Sequence, residues 1–303
     1  MCELVLSIDN IINNNNGEPC QHGAFINNTC AFCKRLKEDC NDPITIPFRY
    51  IAPNFSLTIN AIRHLRGCNF GTLLDRKKLN LVLDLDHTLI HSIKTKSKEF
   101  TLEDKEKIKT CYKDVHEICD GKRLVKLRPG VREFLEEAST MFELSIYTMA
   151  KEFYAKEVAK MLRSNVCQKR VKFENVISKE DCTKHRRRKR LDVVLSSERV
   201  VLIMDDLEEV WREENHKNLI NIKPYKFFKK KSPWVEDLLE DDQELTRVLG
   251  VLKTVYNVFY EKEGRNYDGK DVREVLESIK IQSLVEELFD ERWFGTINKD
   301  YFE

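Results

Sequence analysis

The chain has 303 residues, with 52 Lys+Arg against 51 Asp+Glu for a net charge of +1, and 41% of its residues are hydrophobic. That composition excludes a disordered or fibrous chain, and the charge balance argues against a protein held to nucleic acid by bulk electrostatics, so no direct nucleic-acid binding is expected. No apolar run approaches the ~20 residues needed to cross a bilayer, the start MCELVLSIDNII lacks the basic region of a secretory leader, and no membrane partner is expected.

Residues 1–45 are rich in Asn and Cys and carry little periodic apolar content. The chain's ten Cys are scattered, which reads as reduced thiols of the cytosol or nucleus and not as a disulfide framework. Cys20-x-His22 and Cys30-x-x-Cys33 form one set that a tetrahedral, structural zinc ion would take. The spacing is not that of a standard finger, Cys40 competes as a ligand, and the segment lacks the basic helix of a DNA-reading finger. Residues 46–78 connect onward, with a helix expected in LTINAIRHLRGCNFGTLLDRKK.

From 79 to 232, strand-like and helix-like segments alternate. LNLVLDLD (79–86), RLVKL (123–127), ELSIYT (143–148), ENVIS (174–178), RVVLIMDD (199–206) and NLINI (218–222) read as strands buried on both faces. Between them, Val131, Phe134, Leu135, Ala138 and Met141 share one helical face, and Phe153, Tyr154, Val158, Met161 and Leu162 another. The pattern predicts an α/β fold, a parallel sheet flanked by helices, with a charged insert at 93–123 that is either a lid over the substrate groove or a solvated excursion. Residues 233–303 read as a charged helical tail, the acidic run 236–244 as its solvated start, and Trp211 and Trp234 as core or groove aromatics.

In such sheets the site lies beyond the carboxyl ends of the strands. There stand Asp84-Leu85-Asp86-His87-Thr88, Tyr147-Thr148 and Asp205-Asp206. One Asp after a strand is often a turn residue, but two acid pairs and a hydroxyl repel unless a cation joins them, and all-oxygen ligands suit Mg²⁺. His87 and His91 are expected to pack, not to act as bases.

Asp84-Leu85-Asp86-His87-Thr88 after a hydrophobic strand resembles the DxDxT signature of the haloacid dehalogenase-like phosphatases. LVLDLDHTLIHS, KLRPGVREFLEEA, LSIYTMAKEFYAKEVAKML, VISKED, KRLDVVL, VLIMDDLEEVW and NLINIKPYKFF, in this order, are similar to the transcription-factor-IIF-associating phosphatases of the RNA polymerase II C-terminal repeats. The resemblance implies a haloacid dehalogenase-like sheet with an N-terminal Cys/His segment and a C-terminal helical tail. It implies a Mg²⁺-dependent protein-serine/threonine phosphatase with Asp84 as nucleophile and Asp86 as general acid and base. Thr148 would bond the phosphoryl group and Lys189 would supply positive charge. Asp84, the Asp86 carbonyl, Asp205 and Asp206 would hold the metal, with Asp206 the more direct ligand of the acid pair. Thr88, Arg128 and Lys179 are candidates for substrate binding, Thr88 also as a brace for its loop. Implied partners are the phosphorylated repeats and general transcription factors, and the implied location is the nucleus.

The run 184–190 around Lys189 reads as a solvated basic loop or import signal, and Arg186, Arg187 and Arg188 would draw in a multiply phosphorylated substrate. Lys179 stands where the family has Arg, Ala150 where it has Gly, and Leu207 where relatives carry a polar residue, which bears on substrate fit. No BRCT domain is expected after the helical tail. Two rivals stand beside the phosphatase reading. DxD also marks glycosyltransferase sites, which leaves Thr148, Lys189 and the second acid pair without roles, and an inactive module of the same fold would bind phosphopeptides without hydrolysis.

Overall fold

In the computed structural model, which describes residues 20–41, 43–95, 100–163, 171–182, 188–229, 242–261 and 269–282, the first described unit is a four-stranded antiparallel sheet. Its strands are β1 (Ala24–Ile26), β2 (Thr29–Cys30), β3 (Thr45–Pro47) and β4 (Phe55–Thr58), in the order β2-β1-β4-β3. Asn27 and Asn28 turn the β1–β2 hairpin with φ of 49° and 59°, the left-handed conformation that Asn tolerates and a tight hairpin needs. Because β4 pairs with both β1 and β3, the expected boundary at residue 45 does not exist: the Cys/His segment and the connecting segment make one lobe. Thr58 caps the helix that follows, α1 (Ile59–Asp75), by accepting a hydrogen bond from the Ala61 amide.

Next comes β5 (Leu79–Leu83), buried along its whole length. The chain then builds a small antiparallel sheet from β6 (Ile90–Lys94), β7 (Val115–Ile118) and β8 (Arg123–Leu127), with α2 (Leu102–Cys111) between β6 and β7. RLVKL is β8, so it belongs to this sheet and not to the parallel one that its apolar run predicted. Its antiparallel neighbours are β6, which begins before the insert, and β7 within it, so the described part of the insert packs as a folded element.

The main layer follows as α3 (Val131–Met141), β9 (Phe142–Tyr147), α4 (Glu152–Arg163), β10 (Phe173–Ile177), β11 (Val201–Asp205) and β12 (Leu219–Asn221). The five strands lie in the order β10-β9-β5-β11-β12 and every pairing is parallel. On α3 all five expected residues are buried. On α4 the buried face is Tyr154, Ala155, Val158, Ala159 and Leu162, with Met161 packed partly against the core, so of the expected stripe only Phe153, 61% exposed, lies outside.

The tail is less separate than its charge suggested. In α5 (Glu244–Glu261), Leu245, Val248, Leu252, Val255 and Phe259 join the core of the main sheet, as do Val272 and Leu276 of α6 (272–282). Each such side chain contributes roughly 1.5–3 kcal/mol relative to exposure, so α5 and α6 are structural parts of the α/β unit. Asp242 Oδ1 accepts from the Glu244 amide, which makes the end of the acidic run a helix start as expected. The Asn13–Asn16 run, Arg186, Arg187, Trp234, Trp293 and residues 236–241 lie outside the described residues. Among the described residues no helix is long and apolar enough to cross a membrane.

Candidate active site

β5 and β11 are parallel neighbours at the centre of the sheet, and both end in an acid. The Asp84 amide donates to Met204 O at 3.0 Å, which carries the β5–β11 ladder one step past β5 and sets Asp84 beside Asp205. Asp84, Asp205 and Asp206 each place a carboxylate oxygen within 4.8 Å of the others. Lys189 enters the same space. Its Nζ donates to Asp84 Oδ1 at 2.5 Å and to Asp205 Oδ2 at 2.6 Å, and the side chain is buried.

Lys189 is held on its backbone as well. Its N–H donates to Val210 O at 2.6 Å and its carbonyl accepts from Arg212, a bridge that lays residue 189 alongside Trp211. The ammonium lies 5.4 Å from the Trp211 ring centroid and 5.8 Å from that of Tyr147, so two aromatic faces line the cation's cage. Trp211 Nε1 donates to Asp205 Oδ2 at 2.8 Å.

Three carboxylates against one ammonium leave the cluster anionic if all are ionised. Burial pushes the Asp84 carboxyl well above its usual range, with Lys189 pulling the other way, and burial followed by the Asp205 charge raises Asp206. Burial alone would lower Lys189, but Asp84 and Asp205 outweigh it and hold it above its ordinary value. An acidic cluster of hard oxygen donors that its one lysine does not neutralise fits a divalent cation such as Mg²⁺. The two acids of the second pair divide the work. Asp205 gives Oδ2 to Lys189 and Trp211 and Oδ1 to the Leu207 amide, so it anchors the lysine while staying in the group of three carboxylates that could hold a cation. Asp206, half-buried, gives Oδ1 to Thr88 and is the better placed to meet a cation.

Asp86 sits on the loop after β5 and points to the insert. Its Oδ1 accepts from Tyr154 Oη at 2.6 Å and from Ser92 Oγ at 3.0 Å. Ser92 Oγ in turn accepts from Arg123 at 2.9 Å, and that guanidinium lies 4.7 Å from the Tyr154 ring centroid. Both donors converge on one oxygen of the carboxylate. The insert therefore borders the site beside Asp86.

Thr148 follows β9 and is buried, with its amide on Ile177 O and its Oγ1 accepting from the Ala150 amide. Thr88 Oγ1 donates to Asp206 Oδ1 and accepts from the Asp206 amide, both at 3.2 Å. It is fully buried and braces the two acidic loops, so its assignment to substrate is corrected. Arg128 is corrected too. It is 2% exposed, pairs with both oxygens of Asp242 at 2.9 and 3.2 Å and donates to Thr88 O and Lys223 O, a structural clamp between loop and α5. Lys179 is exposed, and its amide bonds Ala150 O at the back of the Thr148 turn. His87 and His91 pack as expected: His87 Nδ1 meets Tyr225 O, and His91 Nδ1 accepts from the Phe227 and Phe228 amides.

Sequence reasoning named Tyr147 only as the residue before Thr148 and Tyr154 only as part of a helical face, passed over Ser92, and treated Trp211 only as an aromatic. Tyr147 and Tyr154 were visible next to motif residues, but no spacing rule says which hydroxyl turns toward Asp86. Elsewhere in the chain, Cys20, His22, Cys30 and Cys33 do come together, with all four ligand atoms within 4.8 Å of one another, and Cys40 is outside the set.

The NLI interacting factor-like phosphatase family model matches residues 79–261. Among curated proteins, the chain is 35% identical over 291 residues to RNA polymerase II C-terminal domain phosphatase-like 4 of Arabidopsis thaliana, covering 88% of this chain and 62% of that one. It is 34% identical over 231 residues to RNA polymerase II C-terminal domain phosphatase-like 3 of the same plant, covering 67% and 18%. The chain thus spans less than two thirds of the length of either relative. A solved fission yeast RNA polymerase II CTD phosphatase, bound to beryllium fluoride, superposes with a TM-score of 0.58 at 24% identity over 71% of this chain and 74% of that one, a likeness of fold.

Proposed function

The chain belongs to the NLI interacting factor-like phosphatase family, and from that premise we propose that it hydrolyses phosphoserine and phosphothreonine in the C-terminal heptad repeats of RNA polymerase II, in the nucleus, by way of an aspartyl-phosphate. The observation that carries the reading is Asp84 at the tip of β5, joined to Lys189 and within 4.8 Å of Asp206.

A Mg²⁺ ion held by Asp84, Asp206 and the Asp86 carbonyl would neutralise phosphoryl oxygens and favour the ionised form of Asp84. Asp84 forms the new P–O bond as the bond from phosphorus to the serine oxygen breaks. Asp86, oriented by Tyr154 and Ser92, delivers its proton to that oxygen, so the alcohol leaves neutral. Asp86 then takes a proton from water as the water attacks phosphorus and the Asp84–phosphorus bond breaks, releasing inorganic phosphate. Lys189 fixes one oxygen of Asp84 and places positive charge where the phosphoryl group gains negative charge. Thr148 donates its hydroxyl to a phosphoryl oxygen.

The test is phosphate release from heptad peptides each phosphorylated at one position, with and without Mg²⁺, for the wild type and Asp84→Asn. Release that needs both Mg²⁺ and Asp84 supports the reading. Binding of every phosphopeptide with no release would show an inactive phosphopeptide module, and release by Asp84→Asn would remove the nucleophile.

A further inference from the structure

The lobe of β1–β4 has little with which to hold itself together. Its strands are two to four residues long, and its buried core is Ala24, Phe48, Phe55, Leu57, Ala61, Ile62, Leu65 and the incoming Leu195. Cores of that size are marginal without a staple. Yet the lobe's connections are demanding: His22 and Lys34 adopt φ of 49° and 63°, on either side of the β1–β2 hairpin. Lys34 follows Cys33 in a tight turn in which its amide donates to Cys30 O at 3.2 Å, while the Cys30 amide donates to Arg35 O at 2.8 Å. These turns direct Cys30 and Cys33 toward Cys20 and His22, which lie on the segment leading into β1.

The geometry is that of a coordination shell. Cys20 Sγ lies 3.7 Å from Cys30 Sγ, and Cys33 Sγ lies 3.4 Å from His22 Nδ1. A tetrahedron with zinc–sulfur and zinc–nitrogen bonds of ordinary length has sulfur–sulfur edges of about 3.8 Å and sulfur–nitrogen edges of about 3.5 Å. Three thiols and one imidazole are soft and borderline donors that suit zinc, not the hard cation of the catalytic cluster. All eight described cysteines are free thiols, so no disulfide competes for this set.

The lobe also reaches the catalytic machinery. Tyr50 Oη donates to Val193 O at 2.8 Å, Arg66 Nε donates to Val194 O at 3.1 Å, and a second Arg66 nitrogen donates to Leu191 O. Leu195 is buried among the lobe's own residues. Residues 191–195 run on directly from Lys189, so the lobe grips the segment that carries the active-site cation.

We propose that Cys20, His22, Cys30 and Cys33 bind one structural Zn²⁺, and that the zinc-stapled lobe buttresses the segment 191–195 and so positions Lys189. The metal assignment stands apart from the proposed phosphatase function; the buttress half rests on it. The full chain, loaded with Co²⁺ in place of zinc, is followed by absorption spectroscopy and metal analysis. One metal per chain, with the intense visible bands of tetrahedral cobalt and a thiolate charge-transfer band, is the expected result. Cys33→Ser loses these bands and the metal on dialysis against chelator, and Cys40→Ser keeps both. Absence of bound zinc and of the cobalt bands in the wild type, or a disulfide among Cys20, Cys30 and Cys33, overturns the assignment whether or not the protein has phosphatase activity. With Mg²⁺ saturating, zinc removal is expected to lower kcat on an aryl phosphate by about tenfold, since a misplaced catalytic group costs on that order or more. Zinc loss with kcat unchanged overturns the buttress.

Discussion

Trp211 Nε1 donates to Asp205 Oδ2, the same oxygen that receives Lys189 Nζ. One buried oxygen thus ties an indole, an ammonium and a strand end into one unit, and the indole face also lies against the ammonium. Trp211→Phe keeps an aromatic face and removes the donor. A lost hydrogen bond to a buried charged group costs about 1.5–3 kcal/mol, so kcat/KM on an aryl phosphate should fall at least about tenfold. Wild-type turnover in this variant would show that Asp205 needs no second donor to hold Lys189.

Removing either end of the Lys189–Asp84 pair should move stability in opposite directions. Lys189→Met strands Asp84 and Asp205 as buried charges beside Asp206, and breaking such a pair typically costs about 3–5 kcal/mol. Asp84→Asn relieves crowding among three carboxylates and leaves Lys189 its partner Asp205. The melting temperature should therefore drop for Lys189→Met and hold or rise for Asp84→Asn, with both variants inactive. Equal drops would mean that the cluster is balanced by charge other than Lys189.

Tyr154 gives a finer reading of Asp86. Its hydroxyl donates to Asp86 Oδ1, and burial, then Asp86, push its own pKa up, so it stays a donor at any working pH. A proton donor matters most when the leaving alcohol is a poor one. Tyr154→Phe should lower kcat severalfold on a phosphoserine peptide and little on an aryl phosphate with a good leaving group, with KM nearly unchanged. An equal loss on both substrates would assign Tyr154 to packing alone.

The parallel sheet and its acidic strand tips were legible because a strand buried on both faces leaves a short unbroken apolar run, and LNLVL and VLIMD are such runs leading into Asp84 and Asp205. RLVKL leaves the same trace, yet its neighbours are β6 and β7 in an antiparallel sheet, and no local pattern reveals who pairs with whom. Arg128 misled for a related reason. An arginine after a strand looks like a phosphate ligand until its partner is known, and Asp242 lies 114 residues away. Lys189 was found only through resemblance, since a lysine within a basic run gives no sign of which one is buried. Phe153 sits at the edge of the α4 stripe and is exposed, while its neighbour Tyr154 is buried and reaches Asp86, a difference that hydrophobicity alone does not show.

His91 makes stability depend on pH in a way that can be separated from catalysis. Its Nδ1 accepts from the amides of Phe227 and Phe228, so the ring must be unprotonated there. Burial, then the charges of His87 and Lys226, lower its pKa from 6.5 to about 4. For a base whose folded pKa is depressed, the folded form holds fewer protons than the unfolded chain between those two values. Its stabilisation is complete above about pH 6.5 and is lost as pH falls toward 4. Between pH 7 and pH 5 the loss should be about 1 kcal/mol, discounted for partial exposure. Urea unfolding at the two pH values measures it, and His91→Asn should flatten this part of the slope even if it lowers stability at both. An unchanged slope in the variant would place the acid sensitivity on other groups.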